Sequence, residues 1–215
     1  MLLLLLSMLL PAQAGSGPYM WGGGPTINTI VYPGEHPALF PGKTKDEDKK
    51  PLLDKTKGDV GIGGRGVLYL GKTQRIGAHL WYSMGGGHYK SPNFTIEYDM
   101  AGTDMSGVGL LAGLGAGLGH QRWETPGKGE LKSATYILRG QGAVNYRTKR
   151  NMFELGIFLN LIIPGKQKWT PVGGETEEFN GGWPINPTIG LEANVYFGDF
   201  TPPKKKKKKK KKRRG

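Results

Sequence analysis

Two glycine-rich patterns are the stretches of this sequence that most resemble a site for chemistry. Gly61–Gly66 matches G-x-G-x-x-G, and Gly66–Thr73 matches G-x-x-x-x-G-K-[ST]. A phosphate loop binds because flexible backbone surrounds the phosphates and opens the N-terminus of a helix. Here the four residues of 67–70 are strand formers, and Lys72 precedes another alternating segment. The patterns therefore predict a β-hairpin and no nucleotide site.

The histidines do not form a catalytic or metal-binding set. They are His36, His79, His88 and His120, and no two of them are spaced as metal ligands. The chain has no Cys, and no Ser stands in an evident relation to a His and a carboxylate. His120 and Glu124 would lie near one rim of the fold predicted below. We expect no metal, no cofactor and no enzymatic activity, with a lipid-modifying enzyme as the weaker alternative.

Charged residues recur on the polar faces of alternating segments. Because buried charges need partners, seven of these side chains are predicted to form an ion-pair network inside the fold. We call them the lumen network: Arg65, Arg75, Glu97, Asp99, Arg139, Glu154 and Glu192. Arg147 is predicted to project inward as well. The alternative, a pore lined for selectivity, would need a wider barrel.

The elements that must position these charges are strands. Residues 187–200 alternate without a slip, with Ile189, Leu191, Ala193, Val195 and Phe197 on one face. Seven earlier segments share the pattern, the first of them weakly: Thr26–Tyr32, Asp59–Leu70, Arg75–Gly85, Asn93–Met100, Gly107–His120, Ser133–Tyr146 and Met152–Ile163. No residues remain for a second layer, so we expect a closed sheet with its apolar face toward lipid.

Connection lengths alternate between short and long. Tight turns are predicted at 71–74, 102–105 and 147–150, and loops at 35–57, 86–92, 123–131 and 164–185. This asymmetry is typical of an all-β, eight-stranded antiparallel up-and-down transmembrane β-barrel. At eight strands the interior is filled by side chains. One face of 107–119 is almost all glycine, which we expect to leave room for Trp81 or Tyr69.

The last strand carries the resemblance to a family. Its polar residue, glycine, alternating apolar residues and final aromatic are Thr188, Gly190, Ala193, Val195, Phe197 and Phe200. This resembles the insertion signal of small Gram-negative outer-membrane barrels of the OmpA, OmpX and OmpW type, over roughly residues 19–200. The resemblance implies outer-membrane lipid and the barrel-assembly machinery as partners, with both termini in the periplasm.

The two ends of the chain differ from its body. Residues 1–14 read as a secretory signal peptide with cleavage before Gly15, 15–200 as the barrel and 201–215 as a disordered basic tail. The net charge is +13, but Lys204–Arg214 supply 11 positive charges and leave 19 Lys and Arg against 17 Asp and Glu. Such a tail suits peptidoglycan or anionic headgroups. Nucleic acid would suit its charge but not the compartment.

These observations predict a structural or surface-interaction role, with the loops at 35–57 and 164–185 presenting the surface. The alternative is a narrow barrel that transports a small apolar molecule, which the charged interior disfavours.

Overall fold

A computed structural model describes residues 20–31, 58–70, 73–85, 89–103, 107–179 and 185–201. The signal peptide, the 35–57 loop and the tail after Thr201 lie outside these residues. The described part contains the strands β1 Trp21–Val31, β2 Gly58–Tyr69, β3 Gln74–Gly85, β4 Tyr89–Thr103, β5 Val108–Thr125, β6 Gly129–Arg147, β7 Asn151–Pro171, β8 Glu177–Phe179 and β9 Asn186–Asp199. Within the same residues, no helix is long and apolar enough to cross a membrane.

Eight of these strands close into an antiparallel barrel. Each strand from β1 to β7 pairs with the next in sequence, and β7 pairs with β9. The register between β1 and β9, from Trp21↔Asp199 to Val31↔Ile189, closes the circle. β8 pairs with β7 outside the closed barrel. The predicted eight-stranded up-and-down barrel is therefore confirmed, and the weakly patterned first strand is real, although it begins five positions before Thr26.

The outer surface of the barrel carries an apolar belt. Strand alternation turns large apolar side chains outward along Val108–Leu118 of β5, Tyr136–Tyr146 of β6 and Phe153–Ile163 of β7. Leu114, at the middle of β5, is 74% exposed. Each segment is close to the roughly 9–11 residues that a tilted strand needs to cross a hydrocarbon layer.

The glycines of β5 make room for carboxylates. A Cβ on Gly115 would lie 2.7 Å from Cγ of Glu97, and one on Gly113 would lie 2.8 Å from Cγ of Asp99. The expectation that this face accommodates Trp81 or Tyr69 is wrong. Trp81 lies instead against Gly61 and Gly63 of β2, because β2 and not β5 is its hydrogen-bonded neighbour.

Three predicted loops contain strand residues. The hairpin between β5 and β6 replaces the 123–131 loop and turns at Gly127, whose φ is +73°. β7 continues through Pro164 to Pro171, so the predicted 164–185 loop includes the end of that strand and its short partner β8. β4 begins at Tyr89, within the expected 86–92 loop.

Of the predicted tight turns, the one at 147–150 is confirmed, with the amide of Thr148 donating to the carbonyl of Asn151. β4 runs on to Thr103, into the predicted 102–105 turn. Residues 71–72 and 104–105, which belong to the other two turns, lie outside the described part of the chain.

A second region of the sheet, which we call the wall, extends beyond the belt. It consists of the end of β5, the start of β6, the end of β7 and all of β8 (residues 119–125, 129–135, 164–171 and 177–179). Its outer side is charged, with Arg122 and Lys168 pointing outward. Its inner side is mixed: Trp123, Leu131 and Trp169 are buried there together with Gln121, Ser133 and Gln167. The outer face thus changes from apolar to charged where the belt ends, as expected if the surrounding solvent changes from hydrocarbon to water.

A β-bulge sets the side-chain directions on β7. Ser133 pairs with Gln167 but Thr135 pairs with Pro164, so β7 has one extra residue at this point. The extra residue shifts the alternation, placing Lys168 outside and Trp169 inside.

Candidate functional site

The lumen network occupies the middle of the barrel. Its arginines come from β2, β3 and β6, and its carboxylates come from β4, β7 and β9. Every one of these side chains is buried. Closure of the sheet brings together residues that are far apart in sequence, since the faces that alternate inward all converge on one axis.

Arg65 is the centre of the network. Its Nη1 lies 2.9 Å from Oε1 of Glu154 and 2.9 Å from Oε1 of Glu192. Its Nη2 contacts Glu97 and lies 3.6 Å from Oδ2 of Asp99. One guanidinium therefore bridges four carboxylates on three strands, a use that its planar array of donors permits.

The other two arginines hold the network at its edges. Arg75 donates from Nε to Oδ2 of Asp99 at 2.9 Å and from Nη1 to Oε2 of Glu154 at 2.6 Å. Arg139 donates from Nη2 to Oε2 of Glu192 at 2.7 Å, and its guanidinium carbon lies 4.0 Å from the ring centroid of Phe158. The structure brings all seven residues together.

Neutral residues complete the hydrogen bonds. Gln141 donates to Oδ1 of Asp99 at 2.5 Å, Asn194 donates to Oε1 of Glu192 at 2.9 Å, and the hydroxyl of Tyr196 donates to Oε1 of Glu154 at 3.1 Å. The sequence-based set omitted these members because it counted only charges. The same alternation that placed the charges inward also places these three side chains inward.

His79 lies within the network but forms no close ion pair. Its Nδ1 is 3.7 Å from Oε1 of Glu97 and 3.6 Å from Oε2 of Glu192, and its ring lies 4.5 Å, centroid to centroid, from Trp81. Arg147 does not join the network, and its guanidinium carbon lies 5.8 Å from the ring centroid of Tyr69.

An apolar layer closes the interior at the end of the barrel where β1 begins and β9 stops, which we call the terminal end. Its buried members are Met20, Val67, Tyr69, Ala101, Leu111, Met152, Tyr196 and Phe200. Tyr196 belongs to both layers, since its ring packs here and its hydroxyl binds Glu154. The interior is therefore charged at mid-height and apolar at its terminal end.

The residues of the predicted insertion signal separate onto two faces of β9. Phe197 points outward and is 57% exposed, with Ala193 and Val195 on the same side. Thr188 and Gly190 point inward.

Phe200 also points inward and is 1% exposed, and a methyl group at Gly22 would overlap its ring. Phe200 therefore does not face the lipid side as Phe197 does. Residue 200 follows residue 197 by an odd number of positions, so its side chain points to the opposite face of the sheet. The absence of a side chain at Gly22 leaves space for the ring.

The first glycine pattern and the two rim residues lie on strands. Gly61–Gly66 lies within β2, and β2 pairs antiparallel with β3 up to Tyr69↔Arg75, so the hairpin prediction is confirmed. Glu124 lies 3.7 Å from Nη2 of Arg122, and His120 points outward. Within the described ranges, no group of three or more His, Cys, Asp or Glu side chains could hold a metal ion.

Comparison with known proteins concerns this fold. The barrel is similar to the crystal structure of Neisserial surface protein A, with a TM-score of 0.53 over 84% of this chain and 97% of that chain. The chain shares that protein's fold. Sequence identity is 11%, so the likeness is one of architecture. Neither a protein-family model nor a curated protein matches the sequence.

Proposed function

We propose that this chain is a small integral outer-membrane barrel with a structural or surface-interaction role. The observation that carries the proposal is the apolar belt around a closed barrel. Leu110, Leu114 and Leu155 are among its most exposed side chains, and such a continuous apolar surface is unfavourable in water. A closed sheet pairs its backbone groups internally, which is the condition for strands to cross a bilayer.

Both limits of the belt fit a bilayer. At the terminal end, Tyr146, Phe153 and Phe197 point outward, as do the interfacial aromatics of membrane proteins. At the other end the outer face changes from apolar to charged where the wall begins. Short turns of outer-membrane barrels face the periplasm. The short turn at 148–150, the start of β1 and the end of β9 lie at the same rim of the barrel. This arrangement supports a periplasmic location for the termini.

The contents of the interior favour a structural role over transport. A transported apolar molecule would have to displace the ion pairs of Arg65 and then pass the apolar layer around Phe200. Separating buried ion pairs costs several kcal/mol, roughly 3–5 for each partner removed. A catalytic role has less support, because the carboxylates of the lumen network are engaged by arginines.

The wall supports the surface-interaction part of the proposal. It extends β5, β6 and β7 past the belt on one side of the barrel and carries β8 at its edge. In the proposed orientation this paired sheet faces the exterior of the cell. It would present its charged outer side to other molecules.

Membrane location is tested by fractionation of cells expressing the full chain. We expect the mature protein in the Sarkosyl-insoluble outer-membrane fraction, with faster gel migration before boiling than after it. A soluble periplasmic protein serves as the fractionation control. Recovery of the chain in the soluble fraction would refute the proposal.

The proposal assigns the basic segment Lys204–Arg214 to the periplasm, where it attracts peptidoglycan or anionic headgroups. Deletion of residues 204–215 should leave insertion by the barrel-assembly machinery intact and weaken salt-sensitive co-sedimentation with purified peptidoglycan. The attraction is electrostatic and decays over a Debye length of about 8 Å at physiological salt. Unchanged co-sedimentation at low salt would remove this partner from the proposal.

A further inference from the structure

A row of basic side chains crosses the outer face of four strands just beyond the apolar belt. Lys90 pairs with Arg122, Arg122 with Lys132, and Lys132 with Lys168. We call these four residues the basic row. Directly opposed residues of an antiparallel sheet have Cβ atoms about 4.5–5.5 Å apart, and like charges at that distance repel. An uninterrupted row of this kind is unfavourable unless anions lie against it.

Carboxylates of the chain neutralise the basic row only in part. Glu130 contacts Arg122 and binds Nζ of Lys132 at 2.6 Å, and Glu178 binds Nζ of Lys168 at 2.8 Å. Lys90 has no ion pair within the described residues. The side chains of Arg122 and Lys132 both remain 44% exposed. An outside anion can therefore still reach them.

Counting the neighbours of the row leaves an excess of positive charge. Lys166 adds a fifth base, which binds Glu178, and Glu124 adds a third carboxylate, 3.7 Å from Arg122. Among these eight residues, five bases stand against three acids, a surplus of two positive charges. Among the described residues, the opposite side of the barrel carries the apolar side chains of Val31, Val60 and Ile189 at the end where β1 stops and β2 begins.

The row lies at the depth of lipid headgroups if the belt lies in hydrocarbon. Arg122 is four positions beyond Leu118, about 13 Å along the strand at about 3.3 Å per residue. A tilt of about 45° reduces this to about 9 Å along the bilayer normal. Long basic side chains cover part of this distance, with their apolar stems toward the belt and their charges at the level of the headgroups.

We propose that the basic row binds the phosphate groups of anionic lipids in the leaflet at the loop end of the barrel. The inference rests on the proposed membrane insertion. Arg122, at the centre of the row, offers a planar array of donors that matches phosphate, and the lysines beside it supply point charges. Glu130 is the internal anion that competes with the lipid for Arg122 and Lys132. The lipid anchors its phosphate at the correct depth, which a free phosphate ion does not.

The test measures lipid binding to the full chain in dodecylmaltoside micelles by native mass spectrometry. The probe is phosphatidic acid, and diacylglycerol with the same acyl chains is the uncharged reference. We expect phosphatidic acid to bind at least about tenfold more tightly, as two surplus charges at about 1 kcal/mol each would give. Inorganic phosphate at equal concentration should not displace it. Full displacement would identify a free-anion site and overturn the lipid assignment.

The matched variants differ only in where four positive charges are removed. Changing Lys90, Arg122, Lys132 and Lys168 together to Gln should abolish the preference for phosphatidic acid. Changing Lys204, Lys205, Lys206 and Lys207 to Gln removes the same charge from the tail and should leave the preference unchanged. Loss of the preference in the tail variant, or its retention in the row variant, would refute the inference. Heat-modifiable migration shows whether each variant is folded.

Glu130→Gln gives a test that does not depend on the fourfold variant. Removing the competing carboxylate should increase the affinity for phosphatidic acid, whereas a purely structural Glu130 would leave it unchanged and so contradict the inference. The two proposals fail separately. A wild-type chain that does not enter membranes contradicts the proposed function, and an inserted chain without lipid preference contradicts only the basic row.

Discussion

Arg75 and Glu154 form an ion pair across the barrel interior, with Nη1 of Arg75 donating to Oε2 of Glu154 at 2.6 Å. Their strands, β3 and β7, are not hydrogen-bonded neighbours in the sheet. Glu154 also accepts from Arg65 and Tyr196, so one carboxylate connects β2, β3 and β9 to β7. The ion pairs thus act across the barrel, in addition to the backbone hydrogen bonds around it.

Loss of the Glu154 carboxylate should lower the stability of the folded barrel. Glu154→Gln leaves the buried Arg65 and Arg75 short of one counter-charge, and we expect the free energy of unfolding to fall by about 3–5 kcal/mol. Urea titration in detergent, followed by the heat-modifiable gel shift, measures it. The control is Lys166→Gln, which breaks an exposed pair with Glu178 and should cost under about 1 kcal/mol. Equal effects in the two variants would contradict a buried network.

The glycine face of β5 predicts a second effect. Gly115→Ala places a methyl group 2.7 Å from Cγ of Glu97 and 3.0 Å from the carbonyl oxygen of Ile96, so we expect about 1–3 kcal/mol of destabilisation. A Cβ on Gly66 would meet no atom within 4 Å, so Gly66→Ala should change stability by less than about 0.5 kcal/mol. Thermal unfolding of both variants in the same detergent gives the comparison. If Gly66→Ala destabilised the protein more than Gly115→Ala, the glycines of β5 would not be needed to make room for the carboxylates.

Depth in the bilayer predicts the third effect. Leu114→Arg puts a charge at the middle of the belt and should lower folding stability in lipid vesicles by about 2–4 kcal/mol. Val172 is nearly as exposed as Leu114, at 69%, but lies in the turn beyond the wall. Val172→Arg should therefore have almost no effect. If the two substitutions lowered folding stability equally, the effect would depend only on side-chain exposure, and the belt would not be in contact with lipid.

The exposed pair at the edge of the wall predicts a pH effect. Hydrogen bonds from Lys166 and then Lys168 lower the pKa of Glu178 from 4.5 to about 2. Because the folded-state pKa is lowered, the contribution to stability is present above pH 4.5 and is lost as the pH falls toward 2. Solvent screening keeps that contribution small. NMR titration of Lys168→Gln should show the pKa of Glu178 moving back toward 4.5, while Lys132→Gln should leave it in place.

Within the belt, the sequence alone determined which side chains face inward. Alternation along a strand is local, so residues 75–85 or 152–163 show their two faces without reference to any partner. That is sufficient to place Arg75 and Glu154 in the interior, and the short 147–150 turn follows from its own residues. It was not sufficient beyond the belt. There the charged outward residues and Pro164 resemble a loop.

The tertiary structure decided the pairing and the wall. Arg75 and Glu154 are 79 positions apart, and only closure of the sheet through β1 and β9 brings their strands face to face. The strand character of 164–171 comes from pairing with β6, and the bulge there reverses the alternation, so that Lys168 lies outside and Trp169 inside. Alternation reports how one strand divides its own side chains between two faces. Register and closure depend on all the strands at once, because each hydrogen bond and each buried charge must find its partner on another segment.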